Sequence, residues 1–504
     1  MKQYIEKILK ARVYDVAQQT PLDLMRNLSQ RLNNHVMLKR EDLQSVFSFK
    51  LRGAYNKIVN LPPEVAEKGV ITASAGNHAQ GVALAASKRG IPALIVMPRT
   101  TPDIKVASVR SLGGTIVLHG DTYDEAYQHA MALADQNGMV YVHPYDDPDV
   151  IAGQGTVAME ILRQHIDPLH AIFVPVGGGG LIAGVAVYVK NLWPDIKVIG
   201  VEPEDAASMY EALRSGERTV LSHVGIFADG VAVRQVGKET FRIAQRYVDE
   251  IILVDTDEIC AAIKDIFDDT RSIAEPAGAL AVAGLKKYVE RESVSAQRMV
   301  AIDSGANMNF GRLRHVAERA EVGERHEAIL AVTIPERPGS FSEFCHMIGT
   351  DRNITEFNYR YADATTAHVF VGIKLAQGDA ERHELVRCLK AAAYPVVDMT
   401  DNEMAKLHVR YMVGGHPPMI EHERVYRFEF PERPGALLRF LDKMGRRWNI
   451  SLFHYRNHGA AYGRVLVGVQ VSPAEVAAFQ DYLADLSYAY EDETGNPAYR
   501  LFLS

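Results

Sequence analysis

At 504 residues, with 47% hydrophobic and 23% charged residues, the chain has the composition of a soluble globular protein and the length of about three domains. Its net charge of −8 leaves no broad basic surface to displace counterions from phosphates, which argues against nucleic acid as a partner and for a small molecule. No apolar run approaches the length needed to cross a bilayer, and Cys260, Cys345 and Cys388 form no CxxC or Cys/His metal-ligand spacing, so a cytoplasmic, reducing setting with no membrane and no metal is expected.

The N-terminal stretch MKQYIEKILKARVYDVAQQT interleaves charges with apolar residues at helical spacing and lacks the uninterrupted core of a secretory signal. From His35 onward, short β-branched runs alternate with helical patterns. HVMLKRED, GVITASAG, PALIVMP, GTIVLHG, GMVYVHP, AIFVPVGGGG, IKVIGVEP, EIILVDTD and RMVAIDSG all read as buried strands that end in Gly, Pro, Ser or acidic residues. That alternation predicts an α/β fold, mainly parallel sheets wrapped by helices, with ligands gathered at the carboxyl ends of the strands.

The stretch SVFSFKLRGAYNKI places Lys50 between Phe49 and Leu51 at the start of a predicted helix. Partial desolvation and a helix N-terminus both disfavour the charged amine and leave more of it nucleophilic, as a bond to an aldehyde or ketone requires. The loop SAGNH (Ser74 to His78) follows a strand and opens a helix, so its N–H groups and Asn77 suit a carboxylate or a planar ligand; an ordinary helix cap fits equally well. His78 is assigned no chemistry. Gly177 to Gly180 stand between the strand AIFVPV and an apolar helix, where successive N–H groups can close on an anion. A flexible turn is the alternative. A dinucleotide site is not excluded by spacing, since Asp195 and Glu202 follow at roughly the expected distance. Glu275 precedes a small-residue helix as either a ligand wall or a plain N-terminal carboxylate, and Ser304 in DSGAN sets a hydroxyl at a strand end.

SFKLRGA with Lys50, SAGNH with Asn77, VGGGGL from Gly177 and SGAN with Ser304, in this order, resemble the fold-type II pyridoxal-phosphate enzymes and most closely the long biosynthetic threonine deaminases. The resemblance implies that Lys50 joins covalently to pyridoxal 5'-phosphate and that Phe49 packs near its ring. Asn77 would bond the ring 3-oxygen, Gly177, Gly178, Gly179, Gly180 and the Leu181 backbone would hold the phosphate, and Ser304 would meet the ring nitrogen. Ser74, Ala75, Gly76 and Asn77 would hold the substrate carboxylate. Lys50 and Ser304 are then the catalytic pair, with the freed lysine amine as general base. A hydroxyl does not hold the ring nitrogen protonated as a carboxylate would, which favours prompt loss of the β-hydroxyl. Related serine racemases carry a second Ser where this chain has Ala75, and a methyl group cannot move protons.

After the charged helical stretch FGRLRHVAERAEVGERHE the pattern repeats itself at an offset of 96 residues. Pro335 to Gly339 match Pro431 to Gly435, Asn353 matches Asn449, and HVFVGIKL matches RVLVGVQV; roughly 16 of 42 positions are identical. Each copy reads strand, PERPG turn, helix, strand, strand, helix, with a final strand near LHVRYMV or AYRLFLS, the order of a ferredoxin-like α+β unit. The pair resembles the ACT-like regulatory modules of long threonine deaminases, with Gly339, Asn353, Gly435 and Asn449 as effector-binding candidates and an architectural role as the alternative.

The expected organisation is a catalytic domain over residues 1–320, a linker over 321–325 and ACT-like subdomains over 326–416 and 417–504. By resemblance the substrate is L-threonine, with L-serine secondary, the effectors are isoleucine and valine, and the assembly is a homotetramer. Two other readings use the same motifs: another type II enzyme acting on serine, either a dehydratase or a β-replacing synthase, and a non-catalytic amino-acid sensor.

Overall fold

The computed structural model describes residues 2–165, 167–335, 343–344, 347–349, 352, 354–361, 366–411, 422–431, 448–456, 462–486 and 488–503. They divide into two compact units, Met1–Ala320 and Glu321–Ser504, and the helix Leu313–Gly323 carries the chain from one to the other. Among the described residues no helix is long and apolar enough to cross a membrane.

The first unit contains strands β1 (Leu22–Leu24), β2 (His35–Arg40), β3 (Val70–Ala73), β4 (Ala93–Met97), β5 (Thr115–Leu118), β6 (Val140–Tyr141), β7 (Ala171–Pro175), β8 (Lys197–Pro203), β9 (Glu250–Val254) and β10 (Arg298–Asp303). They form two sheets, one in the order β1-β2-β10-β7-β8-β9 and one in the order β5-β4-β3-β6. All pairings are parallel except that of β1 with β2, so every run nominated from the sequence is a strand of a parallel sheet. Central strands such as VITA and AIFVP are buried throughout, as expected where helices cover both faces. The antiparallel β1 was not anticipated, because three residues carry no periodicity.

Four helices of the first unit are locked together by close backbone approach. A Cβ on Gly81, in the helix Asn77–Arg89, would stand 3.1 Å from the Lys50 carbonyl carbon, in the helix Lys50–Val59. On the other side of the Lys50 helix, a Cβ on Gly153, in the helix Pro148–Gln164, would stand 2.6 Å from the Arg52 carbonyl oxygen. That helix in turn meets Gly180–Leu192, where a Cβ on Gly184 would stand 2.6 Å from the Gly155 nitrogen.

A buried charge cluster fixes the same helix a second time. Arg52 donates through Nε and Nη2 to Glu41, at 2.7 and 2.8 Å, and through Nη1 to Glu160 at 2.6 Å. Lys39 donates to the other Glu160 oxygen at 2.6 Å, and none of the four side chains is more than 2% exposed. Two cations face two anions, so the cluster is neutral; removing one partner from such a site costs about 3–5 kcal/mol because the rest stay buried and unpaired.

The second unit contains β11 (Glu327–Pro335), β12 (Ile354–Tyr361), β13 (Thr366–Lys374), β14 (Val396–Asp398), β15 (Glu423–Pro431), β16 (Asn449–Arg456), β17 (Tyr462–Gln470) and β18 (Ala489–Asp492). Their antiparallel sheets have equivalent orders, β12-β13-β11-β14 and β16-β17-β15-β18, which is the ferredoxin-like arrangement twice. The register slips at Ile354/Glu356 in one copy and at Ile450/Leu452 in the other, the same place at the 96-residue offset. The expected last strands are corrected: LHVRY and AYRLF are helical, and the last strands lie earlier, at β14 and β18. Asn402 and Asn496 explain it, since each accepts from a backbone N–H, of Ala405 at 3.0 Å and Ala498 at 2.9 Å, and so starts a helix; Pro497 reinforces the second.

Substituting Gly153→Val drives a branched side chain into the Arg52 carbonyl. We expect it to lower the protection of the Lys50–Val59 amides against hydrogen exchange by about 2–3 kcal/mol. Gly495→Ala, where a Cβ meets nothing within 4 Å, leaves that protection unchanged. Equal protection in both variants would mean the helices are not packed this closely.

Candidate active site

The loops nominated from the sequence converge at the carboxyl ends of the parallel strands: Ser74–Gly76 after β3, Gly177–Gly179 after β7 and Ser304–Asn307 after β10. Lys50 is the first residue of its helix, and the segment before it is stitched to the Ser304 loop. Ser48 bridges Gly305, the Phe49 N–H donates to the Ser304 carbonyl at 3.3 Å, and the Ala306 N–H donates to the Phe47 carbonyl at 2.9 Å.

The Lys50 amine donates to the Pro144 carbonyl at 3.0 Å and lies 5.4 Å from the centre of the Phe49 ring. The next residue, Tyr145, packs on the glycine bend: a Cβ on Gly178 would stand 2.2 Å from its ring, and one on Gly180 would stand 3.0 Å from its Cα. The consecutive residues Pro144 and Tyr145 therefore tie the amine to the bend. On the far side a Cβ on Gly177 would stand 2.9 Å from the Val231 Cα, while one on neighbouring Gly230 would stand 3.4 Å from Glu275 Oε1. Glu275 accepts from Asn77 Nδ2 at 2.5 Å, and Asn77 Oδ1 accepts from Asn307 Nδ2 at 2.6 Å. The ring of contacts thus closes from Lys50 through the bend, Glu275 and Asn77 to the Ser304 loop.

Within that ring the glycine bend is a pinned structure and not a flexible turn. Gly179 adopts φ +93°, and the Gly178 carbonyl accepts from Thr240 Oγ1 at 2.7 Å and from the Gly237 N–H at 3.3 Å. Behind it stands the N-terminus of Gly180–Leu192, a helix thirteen residues long. The acidic residues that kept a dinucleotide reading open are not placed for one. Glu202 accepts from the Met209 and Tyr210 N–H groups, both at 2.8 Å, and Asp195 is exposed at the opposite end of β8.

Burial brings the Lys50 amine down to about 8, against the opposing pull of Glu275. Lys50 as a whole residue is half-buried, and solvation of the amino group is what sets the shift. Burial, followed by the charge of Asp229, pushes the Glu275 carboxyl up to about 7. Burial alone would raise Asp229 as well, but Lys105 at 2.8 Å and Arg312 at 3.2 Å hold it well below the usual carboxylate range. Burial and the neighbouring Lys50 hold His78 down to about 3; its Nε2 donates to the Val142 carbonyl at 2.9 Å, so it is a neutral, inward-facing imidazole.

Residues 13–305 match the family described as Pyridoxal-phosphate dependent enzyme, and residues 318–409 and 415–503 match the C-terminal regulatory domain of Threonine dehydratase. The chain is 58% identical over 504 residues to the biosynthetic L-threonine dehydratase of Burkholderia multivorans, covering 99% of each. It is 55% identical to that of Escherichia coli, covering 100% of this chain and 97% of the other. The chain belongs to the biosynthetic threonine dehydratase family. Among solved structures, the processed form of threonine deaminase isoform 2 from Solanum lycopersicum superposes with a TM-score of 0.62 at 55% identity, over 63% of this chain and 93% of that one.

The residues present fit the cofactor that this family name carries. The bend offers backbone N–H groups, with Leu181 next in the helix, and no room for side chains beside Tyr145 and Val231. The amine is desolvated, and Asn77 is held at the start of its own helix. Ser304 Oγ donates to the Ala277 carbonyl at 3.3 Å, a long bond that the rotatable hydroxyl can exchange for an acceptor nitrogen. Ser74 Oγ accepts from the Gly76 N–H at 3.3 Å, Ala75 lies between them, and a Cβ on Gly76 would meet no atom within 4 Å. Tyr145, Gly230 and Thr240 were not anticipated, since none stands in a motif; Pro144 closes the run GMVYVHP and Asn307 closes SGAN, but neither was given a role. Of the effector candidates, Gly339, Asn353 and Gly435 lie outside the described residues, and Asn449 begins β16 opposite Gln470.

In the cofactor-free chain, Lys50 should titrate near pH 8, where a solvated lysine is under about 1% free base. Acylation at trace reagent, read by mass spectrometry across pH, should therefore show Lys50 labelling with a midpoint near 8. A midpoint near 10 would mean that the amine is solvated.

Proposed function

We propose that this chain deaminates L-threonine to 2-oxobutanoate and ammonia by β-elimination, accepts L-serine as a secondary substrate, and carries in its second unit a control site for isoleucine as inhibitor and valine as antagonist. One observation carries the catalytic part: a desolvated amine and a pinned glycine bend, joined through adjacent residues of one loop. Full-length similarity to biosynthetic threonine dehydratases supports the choice of substrate, and the two matches to their regulatory domain support the control site. A homotetramer is part of the same proposal.

Lys50, Gly177 to Gly180, Leu181, Asn77 and Ser304 would hold pyridoxal phosphate, with Phe49 beside it. When bound, that group supplies an aldehyde that takes up an amine and a ring that spreads the electrons left behind when the substrate Cα proton departs. The Ser74–Asn77 loop, at the N-terminus of the helix Asn77–Arg89, binds the substrate carboxylate through its N–H groups. Lys50 Nζ takes the Cα proton; an amine near 8 is free base in a useful fraction at neutral pH and returns the proton readily. Ala75 offers the opposite face no proton donor, so Cα is not reprotonated from that side and racemisation does not compete; the Cβ–O bond breaks and the hydroxyl leaves with a proton as water. The product enamine hydrolyses to the oxo acid and ammonia.

Lys50→Ala should lower ammonia release from L-threonine at least about a thousandfold and remove covalently held cofactor, while isoleucine binding to the second unit persists. Ammonia release at the wild-type rate would refute the role given to Lys50. Removing everything after about Glu324 should abolish inhibition by isoleucine, measured as 2-oxobutanoate formation with and without the amino acid. Inhibition that survives the deletion would place the effector site in the first unit.

A further inference from the structure

Glu275 occupies the N-cap position of the helix Pro276–Glu292, yet its side chain makes no capping bond. Its Oε1 reaches instead across 198 residues of sequence to Asn77 Nδ2, and the residue is 5% exposed. Two other loops are shaped around that oxygen: a Cβ on Gly305 would stand 3.1 Å from it and one on Gly230 would stand 3.4 Å from it.

The orientation of the Asn77 amide follows from its neighbours. Asn307 Nδ2 lies 2.8 Å from the Val46 carbonyl, which can only accept, so that atom of Asn307 must be nitrogen. The same nitrogen lies 2.6 Å from Asn77, which therefore turns its oxygen to Asn307 and its nitrogen to Glu275. Both N–H groups of Asn307 are then spent, whereas Asn77 has spent only one.

We propose that Glu275 and Asn307 are positioning residues for Asn77: gripping its carboxamide from both ends, they hold it in one of its two flipped states and keep its second N–H for an oxygen on the bound cofactor. The assignment rests on the pyridoxal-phosphate reading given above. An amide free to flip would present its own oxygen to the ligand for part of the time, which turns an attraction into a repulsion and weakens binding. A carboxylate at one end and a doubly anchored amide at the other leave no flip without two like groups facing each other.

A double-mutant cycle on the full chain tests it, with pyridoxal phosphate affinity measured by equilibrium dialysis. Glu275→Leu and Asn77→Ala should each weaken binding about tenfold or more, as expected for losing a bond to a charged or buried partner. Glu275→Gln, which still offers Asn77 a carbonyl oxygen, should stay within about threefold of the wild type. In the Asn77→Ala background, Glu275→Leu should cost less than about twofold more, because the residue it positions is already gone. Independent losses that multiply in the double variant, or a Gln variant as weak as the Leu variant, would overturn the positioning role while leaving the cofactor reading intact. A wild-type chain that takes up no pyridoxal phosphate would overturn both.

Discussion

The catalytic unit depends on three backbone contacts too close to admit a side chain: Gly81 on Lys50, Gly153 on Arg52, and Gly184 on Gly155. Each joins two helices, and together they string the helices starting at Asn77, Lys50, Pro148 and Gly180 into one rigid row. Three of them, starting at Asn77, Lys50 and Gly180, open at the mouth, and Pro148–Gln164 runs antiparallel to the Lys50 helix and bridges it to Gly180–Leu192, so fixing the crossings fixes the relative positions of the amine, the glycine bend and the Asn77 amide. The neutral cluster of Lys39, Glu41, Arg52 and Glu160 then sets the rotation of the Lys50 helix about its own axis, which packing of small residues alone specifies poorly. Apolar side chains of similar volume would often be as stable there, so the cluster is best understood as fixing geometry.

Convergent helix N-termini also explain the electrostatics of the mouth. The positive ends of helix dipoles favour anions and disfavour a protonated amine, and burial adds to the second effect. Lys50 at about 8 and Glu275 at about 7 have been moved toward each other from opposite sides, chiefly by loss of water. The site can therefore keep an amine and an acid both near neutrality without making them an ion pair; Glu275 bonds Asn77 and Lys50 bonds a carbonyl. The net result is a pocket that receives an anionic, electron-withdrawing ligand and still retains a usable base.

Much of this was legible in the sequence because the relevant signals are local. Strand ends carrying Gly, Ser or Asn, and a lysine among apolar neighbours at a helix start, depend on a few adjacent residues. What could not be read was contact between distant segments. Glu275 read equally as a ligand wall or a plain N-terminal carboxylate, and its bond to Asn77, with no capping bond of its own, is a contact no local pattern gives. Tyr145 and Thr240 build the walls of the bend from loops with no motif. The misplaced last strands of the second unit had a readable signal that was missed. Asp398-x-Thr400-x-Asn402 repeats as Asp492-x-Thr494-x-Asn496, and each threonine hydroxyl accepts from the first strand of its copy, at Ile329 and Val425. The offset there is 94 and not 96, so an ungapped alignment passes over it.

That second unit shows how a duplicated frame can acquire two chemistries. Its two copies share strand order, the same register slip and the Asp-x-Thr-x-Asn turn, and Asn402 of one turn donates to Asn496 of the other at 3.2 Å. Yet at one equivalent cross-strand position the first copy pairs Thr333 with His368 at 2.9 Å, whereas the second pairs Glu429 with Arg464 at 3.3 Å. A hydroxyl and an imidazole have become an ion pair on the same backbone. Two copies with identical surfaces would bind a ligand alike and report only its concentration. Copies that keep one fold but differ in charge along the same strands can favour different ligands, and a ligand shifts the protein between conformations only by binding them unequally. The divergence at Thr333/His368 and Glu429/Arg464 gives the two copies different charge on the same strands, a difference that the proposed control by two amino acids could draw on.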